Sequence, residues 1–450
     1  MPSLPTCWRT WRSTDGVTMP RSHSLCIRVC SWGFCLLVGA GFLTNNRAWA
    51  NGRFPAAGQI ALVPGEASRI VARTTYGLVV TQDGGVSWRW VCEAAVGYDG
   101  AEDPFIAVLG GGRIVAATEK GLVSSGDGGC VWARPFGPTG TFPAVDLVRD
   151  ATNTVRSVAL STEVSETAAV HRLVETLDAG KTWQPLGKPL PEGFLGQTLE
   201  MAASDPKRYY VSGLVDTTGF LQRSDDGGET WQTWPLPLGK ATGGFLSAVH
   251  PTDKDRLWLR LDHEIKDQLL TSTDGGKTWQ LVFEAPGALF GFALSPDGSE
   301  IALGVLPPKP GLWRGSTANH AFVQVNKAGA RCLTWTPEGL FACGSQGIDG
   351  FTVARSQDGG KTLQTLLHET DLQALACGPK TKTGNVCPGY WPSLKLQLGI
   401  DKPTVPKEPV VPPVVVDEGC GAGRTQHGFL SLLLAGLAAV VSLGIARRRS

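Results

Sequence analysis

Six times the chain repeats one eight-residue phrase, and a fixed internal period of this length restricts the fold to a stacked or radial repeat. The first copy reads Thr81-Gln82-Asp83-Gly84-Gly85-Val86-Ser87-Trp88; the others begin at Ser125, Thr176, Ser224, Ser272 and Ser356. The shared pattern is Ser/Thr-x-Asp-x-Gly-x-Ser/Thr-Trp, with Val131 departing at the seventh position and Leu363 replacing the last Trp. The aspartates Asp83, Asp127, Asp178, Asp226, Asp274 and Asp358 are spaced 44, 51, 48, 48 and then 84 residues apart, so the last gap has room for one more copy. A degraded copy fits there: Gly315-Ser316-Thr317-Ala318-Asn319-His320-Ala321-Phe322, with Phe in the Trp slot. The result is seven units, each about as long as one four-stranded propeller blade.

The phrase has a physical reading. An Asp in a tight turn accepts hydrogen bonds from nearby backbone amides, and the following Gly supplies positive φ. The Ser or Thr ends one strand and the Trp begins the next, which makes the phrase a hairpin connection. Trp88, Trp132, Trp183, Trp231 and Trp279 are then expected to be buried packing anchors. One unit spelled out agrees: residues 245–249 are apolar, His250-Pro251-Thr252-Asp253 is a turn, and residues 256–261 alternate polar and apolar as a half-buried strand does. The expected fold is all-β, a seven-bladed β-propeller of four-stranded antiparallel blades, with each phrase between its blade's third and fourth strands.

At this point the chain resembles the Asp-box (bacterial neuraminidase repeat) propellers, over roughly residues 58–368. That group includes sialidases, xyloglucanases, sortilin-type receptors and photosystem II assembly factors. The motif is specific for the fold and not for an activity, since unrelated functions share it.

The chain ends speak of export. Met19 is an alternative start to Met1; from it, Arg21 and Arg28 precede an apolar run over residues 30–43 and then Ala48-Trp49-Ala50. This is the pattern of a secretory signal peptide within residues 1–50, with the mature chain starting at Asn51; an uncleaved signal anchor is the alternative. The propeller is assigned to residues 51–370, a closing or capping segment to 371–398, and a Pro- and Val-rich spacer to 399–418. Residues 419–450 hold Cys420, an apolar stretch over 429–445 and Arg447-Arg448-Arg449, the order of a transmembrane helix with a cytoplasmic stop. This tail resembles the tripartite sorting tails of myxobacterial surface proteins, which implies processing by a sorting protease at Cys420 and a cell-surface location. A plain single-span anchor would leave Cys420 incidental.

Cysteine usage agrees with an oxidising compartment, because the globular part keeps an even number: Cys92, Cys130, Cys332, Cys343, Cys377 and Cys387. Cys332 and Cys343 flank the Pro337-Glu338 turn symmetrically and should face each other across a hairpin. Cys377 and Cys387 are expected to close a small loop, which leaves Cys92 with Cys130 by elimination.

Formal charge is +1 and no basic, aromatic-rich groove is evident, which argues against nucleic-acid binding. No His pair has metal-ligand spacing, and Asp99, Glu102 and Asp103 lack a known Ca²⁺-loop pattern, so neither a metal nor a cofactor is expected. The Asp-box aspartates recur in nearly every unit, which suits a structural turn and not a single active site. Resemblance to sialidases implies three Arg around a carboxylate, an Asp acid/base and a Tyr nucleophile paired with Glu. Arg53-Phe54-Pro55 resembles that family's Arg-Ile/Leu-Pro motif, but it lies near the expected mature N-terminus, where fraying is expected. None of Tyr76, Tyr98, Tyr209, Tyr210 and Tyr390 has a recognisable Glu partner. Catalytic residues are therefore not assigned. The expected function is a non-enzymatic binding or scaffold module for an extracellular glycan or protein, with a sialidase-type exo-glycosidase and an assembly factor resembling photosystem II stability factors as alternatives.

Overall fold

The computed structural model of the protein describes residues 53–401, apart from 63, 64, 67, 136–140 and 165–168. The leader, the spacer, Cys420 and the apolar tail lie outside the described residues. Among the described residues no helix is long and apolar enough to cross a membrane.

Seven sheets follow one another along the chain, each an antiparallel blade built from contiguous sequence, with one further strand added to the first from beyond the seventh. Blade 1 comprises Ala57–Leu62, Ile70–Thr74, Gly77–Thr81 and Arg89–Val91. Blade 2 has Phe105–Leu109, Arg113–Thr118 and Gly121–Ser125, and among the described residues its fourth strand is reduced to a bridge between Ser124 and Ala133. Blades 3 to 7 each have four strands and begin with Ala144–Arg149, Leu195–Met201, Gly243–Val249, Leu289–Leu294 and Cys332–Thr336. These first strands are the innermost ones and surround a central channel.

The hydrophobic interior is divided into clusters that sit between neighbouring blades. Leu109, Val115 and Leu122 of blade 2 pack with Leu147, Val174 and Trp183 of blade 3. Tyr210 and Leu221 of blade 4 pack with Leu246, Leu257 and Leu270 of blade 5. Each blade therefore buries its faces mainly against its two neighbours, as in other repeat proteins, and blade 1 also against the C-terminal segment.

Each Asp-box joins the third and fourth strands as expected, and the structure gives it a second role. The Gly two residues after each box Asp touches the preceding blade. At Gly276, φ is +89° and an added Cβ would lie 2.0 Å from Leu221 of blade 4. At Gly85, with φ +97°, it would lie 3.3 Å from Leu366 of blade 7. These positions require Gly for a left-handed backbone and for close approach together. In blade 6 the degraded copy lacks the Asp; Thr317 in that slot donates to Gly298 O at 2.8 Å, and the turn is held by His320 N donating to Ser316 O at 2.9 Å.

The box tryptophans are not equivalent. Trp88, Trp132 and Trp183 are buried, whereas Trp231 and Trp279 are half-buried, which corrects the expectation of a uniformly buried anchor. The Trp231 indole packs at the edge of the core cluster between blades 3 and 4, with Nε1 donating to Lys188 O at 3.3 Å.

The disulfides also correct the sequence reading. Cys332 pairs with Cys343, directly opposite in the hairpin register as expected. Cys377 does not pair with Cys387, nor Cys92 with Cys130. Cys92 pairs with Cys387 and Cys130 with Cys377, across 295 and 247 residues. The reason is tertiary. The segment after blade 7 crosses back to blade 1, where Gln373–Ala374 adds a parallel fifth strand beside Arg89–Val91. The helices Lys382–Val386 and Trp391–Leu398 then dock on blades 1 and 2, with Thr383 N donating to Cys130 O at 3.2 Å and Trp391 stacking on Trp90 at 5.5 Å. Blades 7 and 1 also meet directly, through Ala57 N to Gly344 O at 2.8 Å and Thr334 Oγ1 to Ile60 O at 3.1 Å. The ring is closed by this contact plus a covalently attached cap, with no strand exchanged between the end blades.

Candidate functional site

In an antiparallel blade whose third and fourth strands are joined by the box, the start of the first strand lies at the opposite face. The channel opens there into a cavity of about 430 Å³ lined by the inner strands of all seven blades. Three arginines reach it: Arg73, Arg260 and Arg331. Phe105, Phe245, Phe290 and Phe292 line it as well, and Phe105 and Phe290 expose much of their rings. Arg73 lies 5.8 Å from the Phe105 ring centre, and Arg260 lies 4.9 Å from Phe245 and 5.3 Å from Phe290. At these distances the rings attract the guanidinium groups and help to fix their positions.

Two of the three arginines have a partner behind them. Arg73 donates to Asp103 O at 2.6 Å, and Arg260 donates to Leu289 O at 2.8 Å and lies 3.8 Å from Asp267. Arg331 keeps a buried Nε with no hydrogen-bond partner among the described residues. Burial lowers the pKa of the Arg73 guanidinium, against the opposing influence of Asp103. A desolvated guanidinium gains more from a bound anion than a solvated one does.

Two carboxyl groups also line the channel. Burial raises the Asp146 carboxyl to about 6. Asp146 accepts Leu147 N and, across to blade 4, Leu199 N, each at 2.7 Å. Burial, and secondarily Asp146, hold Glu200 well above the usual carboxylate range. Asp146 acts as a tie between blades: inner strands expose unpaired edge amides to the channel, and polar side chains of the neighbouring blade satisfy them. Gln59 does the same for Ile106, Thr198 Oγ1 for Leu246 N and Asp267 for Leu289 N.

The residues singled out by resemblance fall elsewhere. Arg53 is not frayed: it pairs with Asp103 at 3.0 Å and Glu93 at 3.6 Å, and its carbonyl accepts Gln397 Nε2 at 3.0 Å. The cap holds it in place, away from the channel lining. Asp99, Glu102 and Asp103 take separate partners, namely Ala101 N, Glu119 N and Arg53. Tyr209 and Tyr210 serve the blade interfaces, bonded to Arg156 and Arg208.

The box aspartates are structural throughout. The preceding Ser or Thr hydroxyl donates to Oδ1, as at Ser224 to Asp226 at 2.8 Å, and the amide four residues on donates to the same oxygen, as at Thr230 N at 2.9 Å. The hydroxyl four residues on takes Oδ2, at 2.6 Å from Thr230, a bond that Val131 cannot supply to Asp127. The Thr230 hydroxyl and amide pull Asp226 down to about 2, and the Thr362 amide with the Ser356 and Thr362 hydroxyls do the same at Asp358. At Asp274 burial opposes the shift, and the Thr278 hydroxyl and amide outweigh it, to about 2.

These shifts predict a stability profile with two arms. A carboxyl depressed in the folded state adds stability above its unfolded value near 4, and that contribution is lost as pH falls through about 2. Asp146 has the opposite sign: its contribution is complete below about 4 and is lost as pH rises through about 6. Thermal melts from pH 7 to 2 should show a maximum near about pH 4–5 and a fall on the acid side. A melting temperature that stays flat between pH 5 and 2 would contradict the role given to the box carboxylates.

The BNR/Asp-box repeat profile matches residues 222–233 and 270–281, the boxes of blades 4 and 5. The chain is thus a seven-bladed β-propeller carrying BNR/Asp-box repeats. No curated protein matches it. Among solved structures it is similar to an ancestral GH74 enzyme, at 14% identity and a TM-score of 0.53, over 70% of this chain and 46% of that one. It also aligns with the GH74 xyloglucanase of Xanthomonas campestris, at 18% identity and a TM-score of 0.36, over 69% and 54% of the two chains. A third alignment, to YCF48 bound to D1 peptide, has 17% identity and a TM-score of 0.37, over 52% of this chain and 70% of that one. The chain spans about half the length of the two GH74 structures, and at 14% identity the likeness to the ancestral enzyme is one of fold alone.

The channel mouth was not legible in the sequence reading, although a signal existed. Arg73 and Arg260 are each the fourth residue of the second strand, in Ile70–Thr74 and Leu257–Asp262, where each interrupts an apolar run. A second overlooked signal lies on the box side, where Arg156, Arg208 and Arg256 precede the second strands of blades 3, 4 and 5. Each reaches the next blade, at Tyr209, Asp255 and Thr317 O respectively.

Proposed function

We propose that the protein is a secreted, surface-anchored binding or scaffold module whose ligand sits at the channel mouth opposite the Asp-boxes. The ligand is an extracellular glycan or protein segment that presents an anionic group beside an apolar face. The observation that carries this reading is the meeting of Arg73, Arg260 and Arg331 with Phe105, Phe245 and Phe290 in one cavity. Guanidinium groups bond carboxylate, sulfate or phosphate, and the rings accept a sugar face or an apolar side chain. The rigid ring pre-forms the site, which lowers the ordering cost of binding. Three disulfides mark a chain matured in an oxidising compartment, which supports export.

A glycan array and a pull-down from surface extracts, both with the mature protein, test the reading. Captured ligands should be acidic, and Arg331→Gln should weaken binding about tenfold while leaving the melting curve unchanged, as for loss of one charged hydrogen bond. Binding indifferent to Arg331→Gln and Arg73→Gln would overturn it. A sialidase-type exo-glycosidase is the second reading, favoured by the same three arginines; hydrolysis of a sialoside by the purified protein would establish it in place of the first.

A further inference from the structure

A second cavity, of about 230 Å³, lies between blade 1 and the cap. Its walls are aromatic: Tyr76 from the hairpin between the second and third strands, Trp90 from the outer strand, Tyr98 from the link to blade 2 and Tyr390 from the cap. Tyr98 is 3% exposed, and its hydroxyl has no hydrogen-bond partner among the described residues. The charged residues in the lining are Glu93 and Asp99; no Lys, Arg or His contributes to it.

The fold assembles this cavity deliberately from distant parts. The Cys92–Cys387 disulfide fixes the cap beside the outer strand, and Trp391 stacks on the far side of the site against Trp90. Trp90 Nε1 donates to Tyr76 O at 2.7 Å, which sets the indole beside the tyrosine. The short helix Glu93–Val96 ends at Gly97 with φ 114°, and this left-handed turn brings Tyr98 and Asp99 back to the cavity. Glu93 is anchored from outside by Arg53, 3.6 Å away. Asp99 is exposed, and Tyr390 is half-buried.

We infer that this aromatic cavity, with carboxylates as its only charged lining groups, is a binding site for a compact alkylammonium group. The electron-rich faces of Trp and Tyr attract a cation within about 6 Å of the ring centre, and more strongly where water is excluded. The Asp99 carboxylate adds to that attraction, and Glu93, shared with Arg53 at 3.6 Å, adds less. The cavity volume suits a trimethylammonium-sized group and not a whole polymer chain. The two cavities share no lining residue, although Asp103 bonds both Arg73 of the channel mouth and Arg53, the partner of Glu93.

The test compares choline with its neutral carbon isostere, 3,3-dimethylbutan-1-ol, by calorimetric and NMR titration of the mature protein. Choline should bind at least tenfold more tightly than the isostere. Asp99→Asn and Glu93→Gln should each weaken choline binding at least threefold, Tyr390→Ala should abolish it, and Tyr390→Phe should retain it. Arg331→Gln, in the channel, should leave it unchanged, so failure of one site is distinguishable from failure of the other. Asp99→Asn guards against a folding artefact, because Asp99 is exposed and its one local bond is to Ala101 N at 3.2 Å. Equal binding of choline and the isostere, absence of choline binding, or choline binding unaffected by both carboxylate variants would overturn the inference.

Discussion

Replacing Cys92 and Cys387 together with Ser will lower the stability of the folded ring by about 2–5 kcal/mol, the usual cost of losing a native disulfide. The expected effect is at the upper end because the bridge spans 295 residues, nearly the whole ring, and a cross-link restricts the unfolded chain more as its loop grows. Cys130–Cys377 spans 247 residues and should behave alike, whereas Cys332–Cys343, closing a hairpin across 11, should matter less. Denaturant melts of the three double variants give the order. Non-reducing peptide mapping provides the independent check: a Cys377–Cys387 peptide would contradict the clasp. The argument is structural as well as entropic. Blades 7 and 1 meet without sharing a strand, so the ring is held at that seam by side-by-side packing, a few hydrogen bonds such as Ala57 N to Gly344 O, the parallel strand Gln373–Ala374 and the cap tied down by these two bridges.

Trp88→Ala should destabilise by about 3–5 kcal/mol, as for other buried aromatic truncations. Trp88 is 2% exposed and stands at the same seam, its Nε1 donating to Leu366 O of blade 7 at 2.9 Å. Truncation would open a cavity there and leave a buried carbonyl without its donor. Trp231→Ala removes a half-buried ring at an ordinary interface and should cost clearly less. Chemical denaturation of both variants tests this; equal losses would mean that the seam is no weaker than any other blade contact.

The two Trp residues illustrate how far the sequence could be read. Both occupy the eighth box position and are indistinguishable there, and local turn chemistry treats them alike. What separates them is the neighbour: Trp88 is enclosed in the cluster shared by blade 1, blade 7 and the C-terminal segment, whereas Trp231 lies at the edge of the cluster between blades 3 and 4. The cysteines follow the same division. Cys332 and Cys343 flank one tight turn, so hairpin register alone brings them opposite each other. Cys377 and Cys387 are just as close in sequence, but the helix Lys382–Val386 between them carries each to a different blade.

By itself the sequence determined the number of blades, the position of each box and the antiparallel order of strands. These depend on contacts a few residues apart, where Ser224, Asp226 and Thr230 meet whatever the rest of the chain does, and on a period that repeats them seven times, once in degraded form. Only the tertiary structure decided how the ring closes, which cysteines join, and where a ligand can sit. Arg73, Arg260 and Arg331 lie in three different blades and more than 70 residues separate each from the next in the chain. They share a cavity because radial closure gathers the blades round one axis, where Arg73 and Arg260 near the ends of second strands meet Arg331 just before a first strand, and no local pattern records that convergence.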